Sequence, residues 1–171
     1  LSAIVEDYHR RAGPKAVIDY AFHLIVGEPS AQVLGQELPP LIAGGCTSIK
    51  VYLTYDLLVL SDREGLEVLD VARRERAMVM VHAENDACIR WLTDRLLAEG
   101  KTALRYHGEA RGRAGEREAT HRAIALAEVA EVPVLIAHVS TRAATEQIRA
   151  ARARGLGVMA ETCPQYLFLT E

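Results

Sequence analysis

Short apolar segments alternate with longer amphipathic segments along most of this 171-residue chain, and this alternation limits the folds open to it. The apolar segments predict five β-strands, at residues 16–24, 49–53, 78–82, 134–139 and 158–161. No tight hairpin signal joins any two of them. Repeated βα units with right-handed crossovers, and therefore a parallel sheet, are expected.

Helices are predicted in the intervals between the strands. The chain opens in a helical pattern, and the further helices are predicted at residues 31–43, 61–76, 86–99, 116–131 and 141–154. Ser61 and Glu64 have the spacing of a capping box, which marks the start of one of them. Residues 107–115 are rich in glycine and arginine and predict a flexible loop.

This order of elements predicts a single α/β domain, since no linker or low-complexity tract interrupts it. Its strands are apolar throughout, as expected for a parallel sheet covered on both faces. The pattern alone does not separate an open doubly wound sheet from part of a (β/α)₈ barrel. In both folds, functional polar residues follow the carboxyl ends of the strands.

Composition excludes several classes of partner. The chain is 50% hydrophobic and 25% charged, with a net charge of -3, which gives no reason to expect nucleic acid or an anionic membrane surface as a partner. No apolar run reaches the ~20 residues that a membrane span needs. The three cysteines form no CxxC pair, which favours a reducing cytoplasm over a disulfide-bonded, secreted protein.

Lys50 lies in the middle of an apolar predicted strand, where an unpaired charge is costly. One interpretation is a lysine that reaches the strand end or pairs with a carboxylate. The other is a functional amine, because burial lowers the pKa of lysine and exposes the neutral form. A neutral amine reacts with CO₂ to give a carbamate, whose two oxygens can bridge two divalent metals.

His82 and His138 each end a later predicted strand. A single histidine in this position is most often an ordinary core residue. Two of them on neighbouring strands, beside a strand lysine, favour a metal site, and neutral imidazole suits zinc. Glu84 and Asn85 are near enough in sequence to support His82 through its other ring nitrogen.

Tyr55 and the apolar residues after it follow the Lys50 strand. A phenol at this position can donate a hydrogen bond to an oxygen that gains negative charge. The alternative is a tyrosine that packs on the rim of the fold. Leu57 and Leu58 belong to an unusually apolar loop, of the kind that shapes a substrate pocket.

Five segments together resemble the dihydropyrimidinase and D-hydantoinase family of the cyclic amidohydrolase superfamily. They are GCTSIKVYLTYD, MVMVHAEND, EREATHRAIALAE, VLIAHVS and VMAETCPQYLFLTE. The resemblance implies a TIM-type (β/α)₈ metal-dependent hydrolase barrel. It also implies hydrolysis of the cyclic amide bond of hydantoins and dihydropyrimidines to N-carbamoyl amino acids, by a cytoplasmic homotetramer.

The resemblance assigns roles to particular residues. Lys50 becomes an N6-carboxylysine that bridges two divalent metal ions, usually zinc. His82 and His138 bind the second metal, and Tyr55 stabilises the tetrahedral intermediate. Leu57 and Leu58 are then expected to contact the cyclic diamide substrate.

The family pattern is only partly present. The His-x-His pair of the first barrel strand is absent, and so is the aspartate of the last strand. The predicted strands correspond to about the third to seventh of the barrel, whereas a full barrel takes ~250 residues. Residues 1–171 are therefore expected to be one partial barrel domain that is inactive alone. The sequence Ala110-Arg111-Gly112 also departs from the usual Ser-Arg-Pro.

Three alternatives stay open. Within the same superfamily, allantoinase and dihydroorotase are the nearest activities. A non-catalytic dihydropyrimidinase-like scaffold would use the barrel for protein contacts. An open α/β binding domain without metal would need Lys50 to be an ordinary ion-paired lysine.

Overall fold

A parallel sheet of five strands, which lie side by side in the order in which they occur along the chain, forms the centre of the computed structural model, which describes residues 1–169. The strands are β1 (Leu24–Ile25), β2 (Ser48–Tyr52), β3 (Met78–His82), β4 (Val134–Ile136) and β5 (Val158–Ala160). Because the order is sequential and never reverses, the sheet has the arrangement of a barrel and not of a doubly wound fold. The prediction of an α/β fold that is part of a (β/α)₈ barrel is confirmed.

Helices fill every interval along the chain. They are α1 (Ser2–Ala12), α2 (Leu38–Ala43), α3 (Asp62–Glu75), α4 (Asp86–Ala98), α5 (Tyr106–Ala110), α6 (Arg113–Ala130) and α7 (Arg142–Ala153). A 3₁₀ turn, Pro164–Leu167, follows β5. None of the helices within residues 1–169 combines the length and the apolar character needed to cross a bilayer. Thr170 and Glu171, the end of the last family-like segment, lie outside the described residues.

The core lies between one face of the sheet and the helices. Ile49 and Val51 of β2 point to this face and are 0% and 5% exposed. Alternate residues point to the other face, where Lys50 pairs in register with Ile25 on one side and Met80 on the other. Ile25, at the edge of this row, is 47% exposed. The second face carries the candidate site residues.

The predicted strand at residues 16–24 is wrong over most of its length. Only Leu24 and Ile25 pair with β2, and Val17 and Ile18 are 95% and 81% exposed. Apolar character alone does not make a strand, because a strand also needs a neighbour for its backbone groups. Phe22 instead packs edge-to-face on Tyr8 of α1, with ring centroids 5.7 Å apart.

Two further boundaries differ from the predictions. The helical region before β2 contains a π-helical turn, Val33–Glu37, which leads directly into α2. Pro39 and Pro40 lie in the first turn of α2. Because neither has an N–H to donate to the preceding turn, regular α-helical bonding fails just before them. Part of the predicted loop at 107–115 is helix α5.

Candidate functional site

Side chains from the loops that follow β2, β3 and β4 line a cavity of about 510 Å³. Parallel strands bring their carboxyl ends to one edge of the sheet, so residues distant in sequence meet there. His82, His138 and Tyr55, three residues singled out from the sequence, all line this cavity. It is the candidate functional site.

The two histidines face each other. His82 Nδ1 lies 2.9 Å from His138 Nε2, and the ring centroids are 4.6 Å apart. His82 is only 8% exposed. At this distance the two nitrogens share a hydrogen bond, and a small adjustment of the rings would let both bind one metal ion.

Glu84 holds the other ring nitrogen of His82. His82 Nε2 donates to Glu84 Oε2 at 2.6 Å, which leaves the lone pair of Nδ1 directed at His138. Burial by itself raises the pKa of Glu84, but the hydrogen bond from His82 and the charge of Arg111 lower it below its ordinary value. A carboxylate behind a histidine is the usual support of a metal-binding imidazole.

Asn85, the other residue considered for this support, has a different role. Its side chain accepts from Cys88 N at 2.9 Å and so caps α4. It also donates to Glu118 of α6 at 2.5 Å. Asn85 therefore fixes the loop after β3 and not the ring of His82.

His138 lies just beyond β4 with a left-handed backbone, at φ 38°. Burial lowers the pKa of His138 below its ordinary value, and the neighbouring His82 and Lys50 lower it further. The neutral imidazole is the form that binds metal. Ser140 N donates to Glu116 Oε1 at 2.7 Å, which ties this loop to the start of α6.

Tyr55 also has a left-handed backbone, at φ 78°. Its carbonyl accepts from Leu58 N and Val59 N at 2.9 and 2.8 Å, so a tight turn fixes the residue after β2. The ring centroid of Tyr55 lies 5.0 Å from that of His82. Tyr55 lies on the open side of the cavity and is 39% exposed. The phenol is available to a bound molecule.

Lys50 is brought near the histidines but lines a different cavity, of about 750 Å³. It is 9% exposed, and burial lowers its pKa while the charge of Glu161 opposes the shift. Tyr52 lines both cavities, and Lys50 Nζ lies 5.5 Å from its ring centroid. Lys50 is thus a buried lysine with an increased neutral fraction. The side chain of Tyr52 separates it from the histidine cavity.

The structure places Leu57 and Leu58 in different surroundings. Leu58 lines the Lys50 cavity, whereas Leu57 is 88% exposed and lines neither cavity. Gly27, just after β1, lies so close that a Cβ there would be 2.8 Å from the carbonyl oxygen of Leu57. The backbone of this loop therefore rests against a glycine.

Residues 1–169 contain some side chains of the types that bind metal ions but no full set of ligands. Within this range, no group of three or more His, Cys, Asp and Glu side chains is placed to hold a metal ion. The donors present are the two converging imidazoles and the amine of Lys50, whereas zinc takes four ligands. The donor set fits a divalent metal whose other ligands come from elsewhere.

Sequence reasoning gave no role to several residues that line the histidine cavity. They are Tyr52, His107, Arg111, Glu116 and Tyr166. His107 belongs to the predicted flexible loop at 107–115, but it lies in α5. The other four stand in segments that resemble the family or are compared with it. Those segments do not show that the residues meet, because only the fold brings their separate elements together.

Comparison with known proteins gives one consistent group of relatives. The D-hydantoinase of Ralstonia pickettii is 41% identical over 172 residues, covering 100% of this chain and 37% of that protein. No protein-family model matches the chain.

Comparison with solved structures gives the same group of proteins. A D-hydantoinase structure superposes with a TM-score of 0.96 at 42% identity, covering 99% of this chain and 37% of the other. The dihydropyrimidinase from Brevibacillus agri NCHU1002 gives a TM-score of 0.93 at 41% identity, covering 98% of this chain and 36% of the other. The chain thus spans little more than a third of the length of the relatives that it matches.

Proposed function

Because the chain is homologous over its whole length to part of the D-hydantoinases and dihydropyrimidinases, we propose that it is part of a cyclic amide hydrolase. The proposed reaction opens the cyclic amide bond of hydantoins or dihydropyrimidines and yields N-carbamoyl amino acids. Residues 1–171 would form one stretch of a single barrel domain. The substrate is a small cyclic diamide.

One observation carries this proposal: the convergence of His82 Nδ1 and His138 Nε2 at 2.9 Å within a cavity that also contains Tyr55. A histidine pair that served only the core would not need a half-buried carboxylate behind one ring and an open cavity in front of it. Glu84 supplies that carboxylate. The arrangement is typical of a metal-dependent hydrolase.

The cofactor in this proposal is a pair of divalent metal ions, with zinc as the expected ion. His82 and His138 would hold one of them, and Lys50, as an N6-carboxylysine, would hold both. When bound, such ions lower the pKa of water and polarise a carbonyl group. The remaining ligands would come from parts of the barrel outside this chain.

Lys50 is suited to this modification by its burial. The neutral amine adds to the carbon of CO₂, one proton leaves the nitrogen, and a carbamate with one negative charge results. Burial lowers the pKa of Lys50, which increases the fraction of the reactive neutral amine. The nearby carboxylate of Glu161 is a candidate to accept the proton.

Other residues would bind and orient the substrate. The phenol of Tyr55 would donate a hydrogen bond to the amide oxygen as it gains negative charge. Leu58 and, after a change of the loop, Leu57 would contact the ring substituent. Glu84 would keep His82 in the tautomer whose Nδ1 faces the cavity. The homotetramer and the cytoplasmic location remain predictions.

The test is a side-by-side assay of the complete polypeptide that contains this sequence. It would be incubated with dihydrouracil, 5-substituted hydantoins, allantoin and dihydroorotate, and ring opening would be followed chromatographically. We expect hydrolysis of the first two substrates, two metal ions per chain, and loss of both metal and activity in Lys50→Ala. A protein that opens only allantoin or dihydroorotate would contradict the proposal.

The same assay addresses the scaffold alternative. A non-catalytic scaffold would purify without stoichiometric metal and open none of the four rings. If the chain were instead an open α/β binding domain, Lys50→Ala would leave any activity and the metal content unchanged. His121→Ala is a matched control, since His121 lies on α6 and contacts Gln147 away from the cavity.

A further inference from the structure

Arg111, in the turn between α5 and α6, contacts two of the candidate site loops at once. Its Nη1 forms an ion pair with Glu84, after β3. Its Cζ lies 5.2 Å from the ring centroid of Tyr55, after β2. The proposed function gives this residue no role.

We propose that Arg111 is a positioning residue that braces Glu84, and through it His82, together with Tyr55. The inference rests on the proposed function, because it concerns how that site is held in order. Arg111 acts on the metal-binding ring and on the phenol through these two contacts.

The chemistry of the guanidinium group allows both contacts to form at once. Its N–H donors lie in the plane of the group and match a carboxylate, while its face stacks on an aromatic ring. The side chains of Arg111 and Glu84 are 21% and 20% exposed, so solvent screens their attraction less than it screens a surface pair. Lysine lacks the planar fork and cannot make both contacts in the same way.

Glu84 needs such a brace because one oxygen serves both partners. Glu84 Oε2 accepts from His82 Nε2 at 2.6 Å and also pairs with Arg111. Without the guanidinium, this carboxylate is free to turn towards water. The ring of His82 would then lose the acceptor that fixes its tautomer, and the Nδ1 lone pair would no longer be held towards His138.

The segment that carries Arg111 is itself firmly placed. Within the next seven residues, Glu116 accepts from Ser140 N at 2.7 Å and Glu118 accepts from Asn85 at 2.5 Å. This segment therefore touches the loops after β2, β3 and β4. A brace is effective only when its own support is rigid, and these bonds provide that support.

A direct contact between Arg111 and substrate is the competing interpretation, since Arg111 also lines the cavity. The two interpretations differ in the absence of substrate. A substrate contact acts only once substrate is bound, whereas a brace of the His82 carboxylate affects how firmly the protein retains metal before any substrate arrives.

The experiment compares variants of the complete polypeptide that contains this chain. Arg111→Met removes the charge and the donors at similar length, Arg111→Lys keeps the charge, and Arg113→Met is the control. Arg113 is exposed and has no side-chain hydrogen bond or ion pair within residues 1–169. Each protein is loaded with zinc alone, and the rate of zinc loss to a chelator is measured, followed by kcat and KM.

We expect Arg111→Met to lose zinc about 10–100-fold faster than wild type, the range found for groups that support metal ligands. Its kcat should fall more than its KM rises. Arg111→Lys should release zinc at a rate between those of wild type and Arg111→Met. Arg113→Met should release zinc as slowly as wild type. Combining Arg111→Met with Glu84→Gln should release zinc no faster than the faster single variant, because both changes break the same contact.

Unchanged zinc release in Arg111→Met, a rise in KM alone, or additive effects with Glu84→Gln would each overturn the proposal. If Arg111→Met does not fold, Arg111→Lys and Glu84→Gln carry the same comparison. Crystal structures of wild type and Arg111→Met, which need no bound metal, separate this inference from the proposed function. Displaced Glu84 and Tyr55 side chains support the brace even if no ring is hydrolysed, and unmoved ones refute it.

Discussion

Backbone strain marks two single residues of the candidate site. Within residues 1–169, four residues other than glycine have a positive φ, and two of these, Arg76 and Glu131, end helices, where this conformation is common. The other two are Tyr55 and His138. Strained residues outside caps concentrate at functional sites because the surrounding structure must hold them. The positive φ angles of Tyr55 and His138 thus point to the same site as the cavity and the contact between the histidines.

Replacing Tyr55 with phenylalanine tests its role most directly. The ring and its contact with Arg111 would remain, while the hydroxyl donor would be lost. We expect kcat of the complete enzyme to fall about 10²–10³-fold with little change in KM, as when one oxyanion donor is removed.

Steady-state kinetics on a 5-substituted hydantoin would measure this effect. Tyr20→Phe is the control, because Tyr20 is 41% exposed and lines neither the histidine cavity nor the Lys50 cavity. Equal activities of wild type and Tyr55→Phe would remove the phenol from the mechanism.

At the level of elements, the loop between β2 and α3 depends on its contact with the chain after β1. Gly27 allows this approach, since a Cβ there would lie 2.8 Å from the Leu57 carbonyl oxygen and 3.0 Å from Leu58 Cδ2. Tyr55 belongs to the same loop. The position of the phenol is therefore coupled to a glycine about thirty residues earlier in the chain.

Gly27→Ala should disturb this loop. We expect the free energy of unfolding to fall by about 1–3 kcal/mol, the usual cost of overpacking, and KM for hydantoins to rise as the loop shifts. Denaturant unfolding and steady-state kinetics measure the two effects. Gly35→Ala is the matched control, because a Cβ at Gly35 meets nothing within 4 Å. Equal stability of the two variants would show that the contact is unimportant.

On the scale of the whole molecule, the described residues leave one face of the sheet partly open. Ile25 of β1 and Met159 of β5 point to this face and are 47% and 41% exposed. Within residues 1–169, β1 and β5 are also edge strands. Exposed apolar edges favour association. Within residues 1–169, no group of three or more His, Cys, Asp and Glu side chains is placed to hold a metal ion.

Expressing residues 1–171 alone should therefore give a protein without stoichiometric metal and without ring-opening activity. The complete polypeptide, purified in parallel, should carry metal and be active. Metal analysis and size-exclusion chromatography compare the two. A monomeric, metal-loaded and active 171-residue protein would show that this stretch needs no further part of the barrel.

The sequence by itself determined the succession of strands and helices and the parallel sheet, because burial on both faces leaves continuous apolar segments at β2 and β3. It also predicted roles for Lys50, because a charge inside an apolar strand is costly, and for His82 and His138, because two histidines end neighbouring strands beside that lysine. The family-like motifs added Tyr55. The periodicity alone did not separate part of a barrel from an open sheet. The recognisable motifs did so, because they indicated a family of barrel enzymes.

Only the tertiary structure decided which of these residues meet. It joined His82 to His138, placed Lys50 in the adjoining cavity and shortened the first strand to Leu24–Ile25. It also revealed the contacts of Arg111, which depend on three elements folding against one another. Such contacts leave no local pattern, because the sequence records which side chains are present and the fold sets the distances between them.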